Sequence, residues 1–250
     1  MIVMFMILYI VRFETIFDRF AIDISFKEII LPHMGQKRAI ATSASEERLE
    51  KLLEERLSPG SNQDIIDKRI WDLFGETWCV MFTDLSGFSR GVAKFGIIHF
   101  LQTIYESQRI LIPVLDEFDG ILMKDEGDSL MVLFRNTNKA IQCAIQMQKA
   151  CKRYNEGRVL EEQILLCVGL GYGKILKIGD TDVFGAEVNA ASKLGEDTAK
   201  AWEILVTNAV KENADETTDF DFEPIKEIPP GSDGAFKLVY TLDEPKWVVL

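Results

Sequence analysis

Between Trp78 and Leu242 the apolar positions alternate between short runs of strand type and stripes of helical spacing. Residues 79–83 are almost wholly apolar and stop at Asp84, where Leu85-Ser86-Gly87-Phe88 turns the chain toward a helical pattern over about 91–118. Ile121-Leu122-Met123 and the apolar run 130–134 flank a polar turn at Glu126-Gly127, which predicts a hairpin. A helix is predicted over 138–154, with Ala140, Ile141, Ala144, Ile145 and Met147 as its core stripe. A strongly apolar strand follows over 163–173, then a hairpin half over 174–178 and a helix from near Gly185 through Lys193. A strand at 204–206, a short helix at 208–212 and a last strand at 236–242 complete the pattern. The order is the split βαβ plan: an α/β (α+β) fold with a ferredoxin-like βαββαβ core and extra strands. Gly171 and Gly173 lack a full Gly-x-Gly-x-x-Gly fingerprint and are read as strand-end glycines.

Upstream, residues 43–57 predict an amphipathic helix, with Ser43 and Glu46 as a capping box and Leu49, Leu52, Leu53 and Leu57 as one stripe. The stripe is too short for a full coiled coil but long enough to pair with a second copy. Ser58-Pro59-Gly60-Ser61 ends it, and a second helix over 64–74 leads into the first strand. The expected organisation is an extension over 1–42, a helical linker or dimer-setting segment over 43–74, a folded domain over 75–242 and a tail over 243–250. Residues 1–11 are almost wholly apolar yet about half the ~20 residues that span a bilayer. They also lack the basic start and the small-residue cleavage site of a signal peptide. The segment reads as an element packed on the domain, as a start assigned too far upstream, or as an interfacial membrane anchor, the last being the least favoured. No transmembrane helix is predicted.

With 250 residues, 47% hydrophobic and 27% charged, the chain can bury a sizeable core. The net charge of −12 leaves no basic stripe for a nucleic-acid backbone, so no nucleic-acid partner is expected. A nucleotide site would need its own local cations and a metal. Cys79, Cys143, Cys151 and Cys167 show no Cys-x-x-Cys spacing; Cys143 and Cys151, on one apolar helical stripe, read as buried free thiols, which favours a reducing compartment, and a cytoplasmic location is expected. His33 and His99 lie far apart, which argues against zinc.

The chemistry concentrates in two stretches. Asp84 at a strand end and Asp128 at a hairpin tip, 44 positions apart, can meet around Mg2+ or Mn2+. In the second stretch, Asn189 and Lys193 are four apart and project from one helix face, offering an amide and a cation to ribose and phosphate oxygens. Asp182, just before that helix, can accept from an exocyclic amine. Taken singly, Asp84 reads as a helix cap, Lys124 as a solvated hairpin residue, Gly127 as turn chemistry and Asn189 as a locally bonded helix residue.

Together, residues 75–242 resemble the catalytic domain of the class III nucleotidyl cyclases, the adenylate and guanylate cyclase fold. The resemblance rests on Phe82-Thr83-Asp84-Leu85-Ser86-Gly87-Phe88, on Lys124 followed by Gly127-Asp128, and on Asp182, Gly185 and Val188-Asn189 with the helix they open. It implies that Asp84 and Asp128 hold two Mg2+ or Mn2+ ions, and that backbone N–H groups of Leu85, Ser86, Gly87 and Phe88 receive phosphate oxygens. It further implies that Lys124 and Asp182 read adenine, Lys donating to N1 and Asp accepting from the 6-amino group, while Asn189 orients the ribose. In guanylate cyclases a Glu and a small residue usually stand at those two positions, so ATP is the expected substrate and cyclic AMP the product. The family assembles each site from two chains; this chain carries both halves, so a head-to-tail homodimer is expected, with the active sites at the subunit interface.

The chain departs from the family pattern at two places. Lys193 stands where Arg is usual, which keeps the charge but loses the bidentate fork. The phosphate-contacting lysine before the last strand is replaced by Ile228-Pro229-Pro230-Gly231, with Lys226 and Lys237 as displaced candidates. Two other readings stay open: a pyrimidine or other nucleotidyl cyclase, and a catalytically weak cyclase-homology module that signals by binding. A diguanylate cyclase is disfavoured, because Gly127-Asp128-Ser129 only partly echoes its Gly-Gly-Asp-Glu-Phe hairpin.

Overall fold

The computed structural model describes residues 44–87, 96–215 and 220–242. By compactness the chain divides into two units, Met1–Glu47 and Arg48–Leu250, and of the first only residues 44–47 are described. Ser43 and Phe88, both singled out in the sequence, lie outside the described residues, as does the expected helical start near Gly91.

Helices α1 (Ala44–Leu57) and α2 (Gln63–Phe74) precede the sheet. Asn62 caps α2 by accepting from the Ile65 N–H at 3.3 Å. Leu52, Ile66, Ile70 and Phe74 bury together with Ile178 of the sheet, and Leu49 packs at the edge. Arg56–Asp67 at 2.6 Å and Arg69–Glu55 at 2.7 Å tie the two helices at the surface. Such exposed pairs contribute little beside the apolar cluster, where each fully buried Leu or Phe stabilises by about 1.5–3 kcal/mol.

The core follows as β1 (Gly75–Leu85), α3 (Ile97–Glu117), β2 (Ile121–Glu126), β3 (Ser129–Phe134), α4 (Thr137–Asn155) and β4 (Leu166–Ile178). After it come β5 (Asp182–Phe184), α5 (Ala186–Ser192), a π-helical turn over Lys193–Thr198, β6 (Ile204–Thr207), α6 (Asn208–Glu212), β7 (Asp221–Pro224) and β8 (Ala235–Val239). The sheet runs β2-β3-β1-β4-β6-β8-β7, with β5 paired to β4. Its first four strands have the antiparallel ferredoxin-like order, and β6 extends it by pairing parallel to β4.

Strand β1 is central and buried on both faces. Cys79 and Met81 pack into the main core with Leu111, Leu115, Ile141 and Met147 of α3 and α4, while Trp78 and Val80 pack on the opposite face with Val188 and Ala191 of α5. All four cysteines are buried and free. Most polar groups that enter the core are bonded: the Leu130 N–H donates to Thr83 Oγ1 at 3.2 Å, and the Asn155 amide exchanges two 2.8 Å bonds with the Ile164 backbone, whereas Gln148 donates to the Leu166 carbonyl but leaves its own Oε1 unpaired.

Three elements differ from the sequence expectation. Strand β4 is one continuous strand through Ile178, and the hairpin partner is the short β5. Gly171 and Gly173 are therefore interior, not strand-end, positions. They lie beneath α5, where a Cβ on Gly171 would come within 2.4 Å of the Glu187 carbonyl oxygen, so only glycine lets the helix lie directly on the strand. The helix expected to end at Lys193 continues as a π-helical turn to Thr198. Strand β7 was not expected at all; its Asp-Phe-Glu-Pro sequence is mostly exposed at the sheet edge and carries no alternating apolar signal.

Candidate active site

Asp84 is the penultimate residue of β1, opposite Cys167 of β4. Asp128 sits in the two-residue turn between β2 and β3, where Glu126 and Ser129 close the hairpin and Gly127 adopts φ +68°. A positive φ at the first turn position matches the twist of a tight hairpin and explains the glycine. The pairing of β1 with β3, Thr83 opposite Leu130, brings the strand end and the hairpin tip together. The two carboxyl groups lie close enough for each to shift the ionisation of the other.

That proximity is electrostatically unfavourable. Burial, then the charge of Asp128, pushes the Asp84 carboxyl up to about 7, against the N–H of Leu85 that favours its ionised form. Burial likewise raises Asp128 above the ordinary carboxylate range, opposed by hydrogen bonds from its own backbone and from Asp84. A third acid, Glu196 of the π-helical turn, raises both by its charge. Two half-buried, mutually repelling carboxylates fit a hard divalent cation, which favours oxygen donors and relieves the repulsion. Among the described residues no three His, Cys, Asp or Glu side chains form a metal-holding cluster. A bound ion would draw the rest of its shell from water and substrate oxygens.

Lys124 lies on β2 just after a register shift between Leu122 and Lys124, and Asp182 opens β5. Lys124 Nζ and Asp182 Oδ1 are 2.9 Å apart, each side chain about one-third exposed at 33% and 36%. The Val183 N–H donates to Asp182 Oδ1 at 2.8 Å, which fixes the carboxylate. A donor and an acceptor thus stand side by side, a pattern that can read one edge of a purine.

Asn189 and Lys193 are both exposed on α5 and the turn that continues it. Lys193 Nζ pairs with Asp197 at 2.7 Å, which raises the lysine pKa. The helix itself is anchored by Glu187, whose Oε2 accepts from the Tyr172 N–H at 3.0 Å and from Thr207 Oγ1 at 2.7 Å. Leu85 ends β1, and Ser86 and Gly87 form the following turn, where the Ser86 N–H donates to the Leu165 carbonyl at 2.8 Å and Gly87 has φ +88°. The Ser86 N–H is therefore already engaged. Lys237 of β8 pairs with Glu203 at 2.9 Å, and Lys226 is exposed.

Three residues escaped the sequence reading. Glu187, Glu196 and Asp197 look like the solvated face of a helix, and only the spacing of Ser192 to Glu196 and of Lys193 to Asp197, four residues each, hinted at local pairing.

The ferredoxin-like sheet, with Asp84 at the end of its central strand and Asp128 at the adjoining hairpin tip, is that of a class III nucleotidyl cyclase. Residues 75–239 match the adenylate and guanylate cyclase catalytic domain family, and the chain belongs to it. It is 27% identical over 143 residues to a putative adenylate cyclase 3 of Rhizobium meliloti (strain 1021), a match covering 57% of this chain and 24% of that protein. It is 28% identical over 131 residues to the serine/threonine-protein kinase pkn2 of Myxococcus xanthus, covering 52% of this chain and 16% of that one. The chain thus spans well under a third of these relatives. Among solved structures, an adenylate/guanylate cyclase/hydrolase from Silicibacter pomeroyi superposes with TM-score 0.58 at 20% identity, covering 67% of this chain and 98% of the other. The adenylyl cyclase CyaB from P. aeruginosa gives 0.54 at 18% identity, covering 67% and 95%. Among the described residues no helix is long and apolar enough to cross a membrane.

Proposed function

We propose that this chain is an adenylate cyclase, converting ATP to 3′,5′-cyclic AMP and pyrophosphate in sites shared between two copies. The observation that carries the choice of base is the Lys124–Asp182 pair at 2.9 Å. Adenine presents an acceptor, N1, beside a donor, the 6-amino group, and a lysine beside a carboxylate complements that edge. Guanine reverses the order, with O6 accepting and N1–H donating. A site built around one pattern leaves buried groups unpaired against the other, which is how such pairs discriminate.

Asp84 and Asp128 hold Mg2+ or Mn2+, with two ions per site. When bound, the metal lowers the pKa of the ribose 3′-hydroxyl and neutralises charge on the triphosphate. The remaining roles belong to the chain. Asn189 orients the ribose so that O3′ lies in line with the α-phosphorus, and Lys193 offsets charge on the α-phosphate oxygens as the new P–O bond forms. The 3′-hydroxyl gives up its proton to water, the bond from the α-phosphorus to the bridging oxygen breaks, and pyrophosphate leaves with the electron pair. Of the backbone N–H groups expected to receive phosphate oxygens, those of Leu85 and Ser86 are engaged by Asp84 and Leu165, which leaves the role to Gly87 and Phe88. One chain supplies the aspartates, and the other supplies Lys124, Asp182, Asn189 and Lys193. Residues 43–74 act as the segment that sets the dimer.

The Lys193–Asp197 pair favours a second reading, a catalytically weak cyclase-homology module, because it engages the transition-state cation within its own chain. One assay separates the readings: purified chain with Mn2+ against ATP, GTP, CTP and UTP, scoring cyclic product and pyrophosphate. Cyclic AMP as the main product is expected. Another cyclic nucleotide would overturn the base assignment, and no product from a folded dimer would favour the binding module.

A further inference from the structure

Glu196 lies between two functional segments of the chain. Its Oε1 accepts from Ser129 Oγ at 3.1 Å, and Ser129 directly follows Asp128 at the hairpin tip. Its Oε2 accepts from Ser192 Oγ, in the last turn of the helix that carries Asn189 and precedes Lys193. The backbone leaves Glu196 little freedom to move away. A Cβ on the preceding Gly195 would come within 2.8 Å of the Phe82 carbonyl oxygen, and one on Gly169 within 2.3 Å of the Gly195 nitrogen. The π-helical turn is therefore pressed against β1 and β4, two residues along β1 from Asp84. Widened turns of this kind are frequent at functional sites.

We infer that Glu196 is a positioning residue that ties the hairpin bearing Asp128 to the helix bearing Asn189 and Lys193 through a Ser129–Glu196–Ser192 bridge. The inference rests on the shared-site reading. In a head-to-tail dimer the two ends of one chain serve different active sites. A rigid link between them makes the geometry of one catalytic centre depend on that of the other.

The bridge needs an acceptor for each serine hydroxyl, or a group able to replace one. Glutamine qualifies: its carbonyl accepts from one serine and its NH2 donates to the other, since a hydroxyl serves in both roles. Alanine removes the link. In amide hydrogen exchange on the unliganded full chain, Glu196→Ala should speed exchange about 5–10-fold both at residues 127–130 and at 190–195, as expected for losing a net hydrogen bond at each end. Glu196→Gln should stay near the original protein. A rise at one end only, no rise, or Gln behaving like Ala would overturn the bridge.

A second readout separates positioning from simple stability. A heterodimer of an Asn189→Ala chain with an Asp84→Ala chain keeps one whole site. Adding Glu196→Ala to either chain should lower kcat about 10-fold with KM little changed, because each copy holds one end of that site. An effect from only one of the two chains would overturn the two-ended role. If the heterodimer makes no product even with Glu196 intact, the shared-site reading fails, while the exchange result still decides whether the bridge exists.

Discussion

The acidic end of β1 and the polar face of α5 are built by opposite means. Asp84 and Asp128 are half-buried and set by strand pairing and by a two-residue turn; burial raises both carboxyls, and the charge of Asp128 raises Asp84 further. Asn189 is exposed on a seven-residue helix that lies on glycines, and Lys193, exposed on the π-helical turn that follows, makes a surface pair with Asp197. The difference teaches which half a single chain can complete. The carboxylates are already half withdrawn from water, into surroundings where electrostatic interactions are stronger. The amide and the cation remain in water, where an ion pair contributes about 0–1 kcal/mol. Only a covering surface gives Lys193 real leverage on a phosphate. In the proposed shared site the second copy would supply that cover.

The largest effect should come from the buried end. Asp84→Ala or Asp128→Ala should lower turnover by at least about 10³-fold, since the metal loses half its protein ligands. The thermal midpoint of the metal-free chain should hold or rise, because a repulsion is removed. Retained turnover in either variant would break the two-metal account.

The helix end breaks through its footing. Gly171→Ala forces a Cβ toward the Glu187 carbonyl oxygen at 2.4 Å, displacing α5 at a cost of about 1–3 kcal/mol. The thermal midpoint should drop and kcat fall, while Mn2+ binding to the metal pair persists. A normal kcat would mean that α5 does not position the reacting groups.

The pH dependence sharpens the contrast, because burial and the charge of Asp128 push Asp84 up to about 7. A carboxyl whose pKa is raised on folding favours the folded state in its protonated form. Its contribution is fully present below the ordinary carboxylate range and is lost as pH rises through about 7 for Asp84. The metal-free chain should therefore show a falling thermal midpoint across that window, and Asp84→Asn should flatten the fall. Mn2+ should reverse it, since the ion binds the deprotonated pair. An unchanged slope in Asp84→Asn would place the titration elsewhere.

The smallest effect belongs to the exposed cation. Lys193→Arg should raise turnover severalfold, about 3–10-fold, by restoring a bidentate donor. An unchanged or lower rate would mean that the surrounding residues have adapted to lysine.

The fold was legible because its core strands and helices announce themselves by periodicity: the apolar run into Asp84, the hairpin around Gly127 and the stripe of α4 all appear where the pattern puts them. What stayed hidden has physical causes. The glycines of β4 look like a turn, but their lack of side chains is what lets α5 sit on the strand. Strand β7 is an exposed edge with acids and a proline. The meeting of Asp84 with Asp128 was readable from a strand end and a hairpin tip. The approach of Lys124 to Asp182 was suggested only by family resemblance, because it joins β2 to β5 across the sheet. Glu196 was invisible: its place beside the aspartates depends on the close approach of Gly195 to β1 and β4, which no local pattern encodes.

The most direct measurement of the central claim mixes inactive Asp84→Ala chains with inactive Asn189→Ala chains and assays ATP cyclisation. The shared-site account predicts recovered activity approaching one quarter of the original at equal amounts, since random pairing makes about half the dimers mixed and each mixed dimer holds one whole site of two. No recovery, with mixed dimers present, would contradict it.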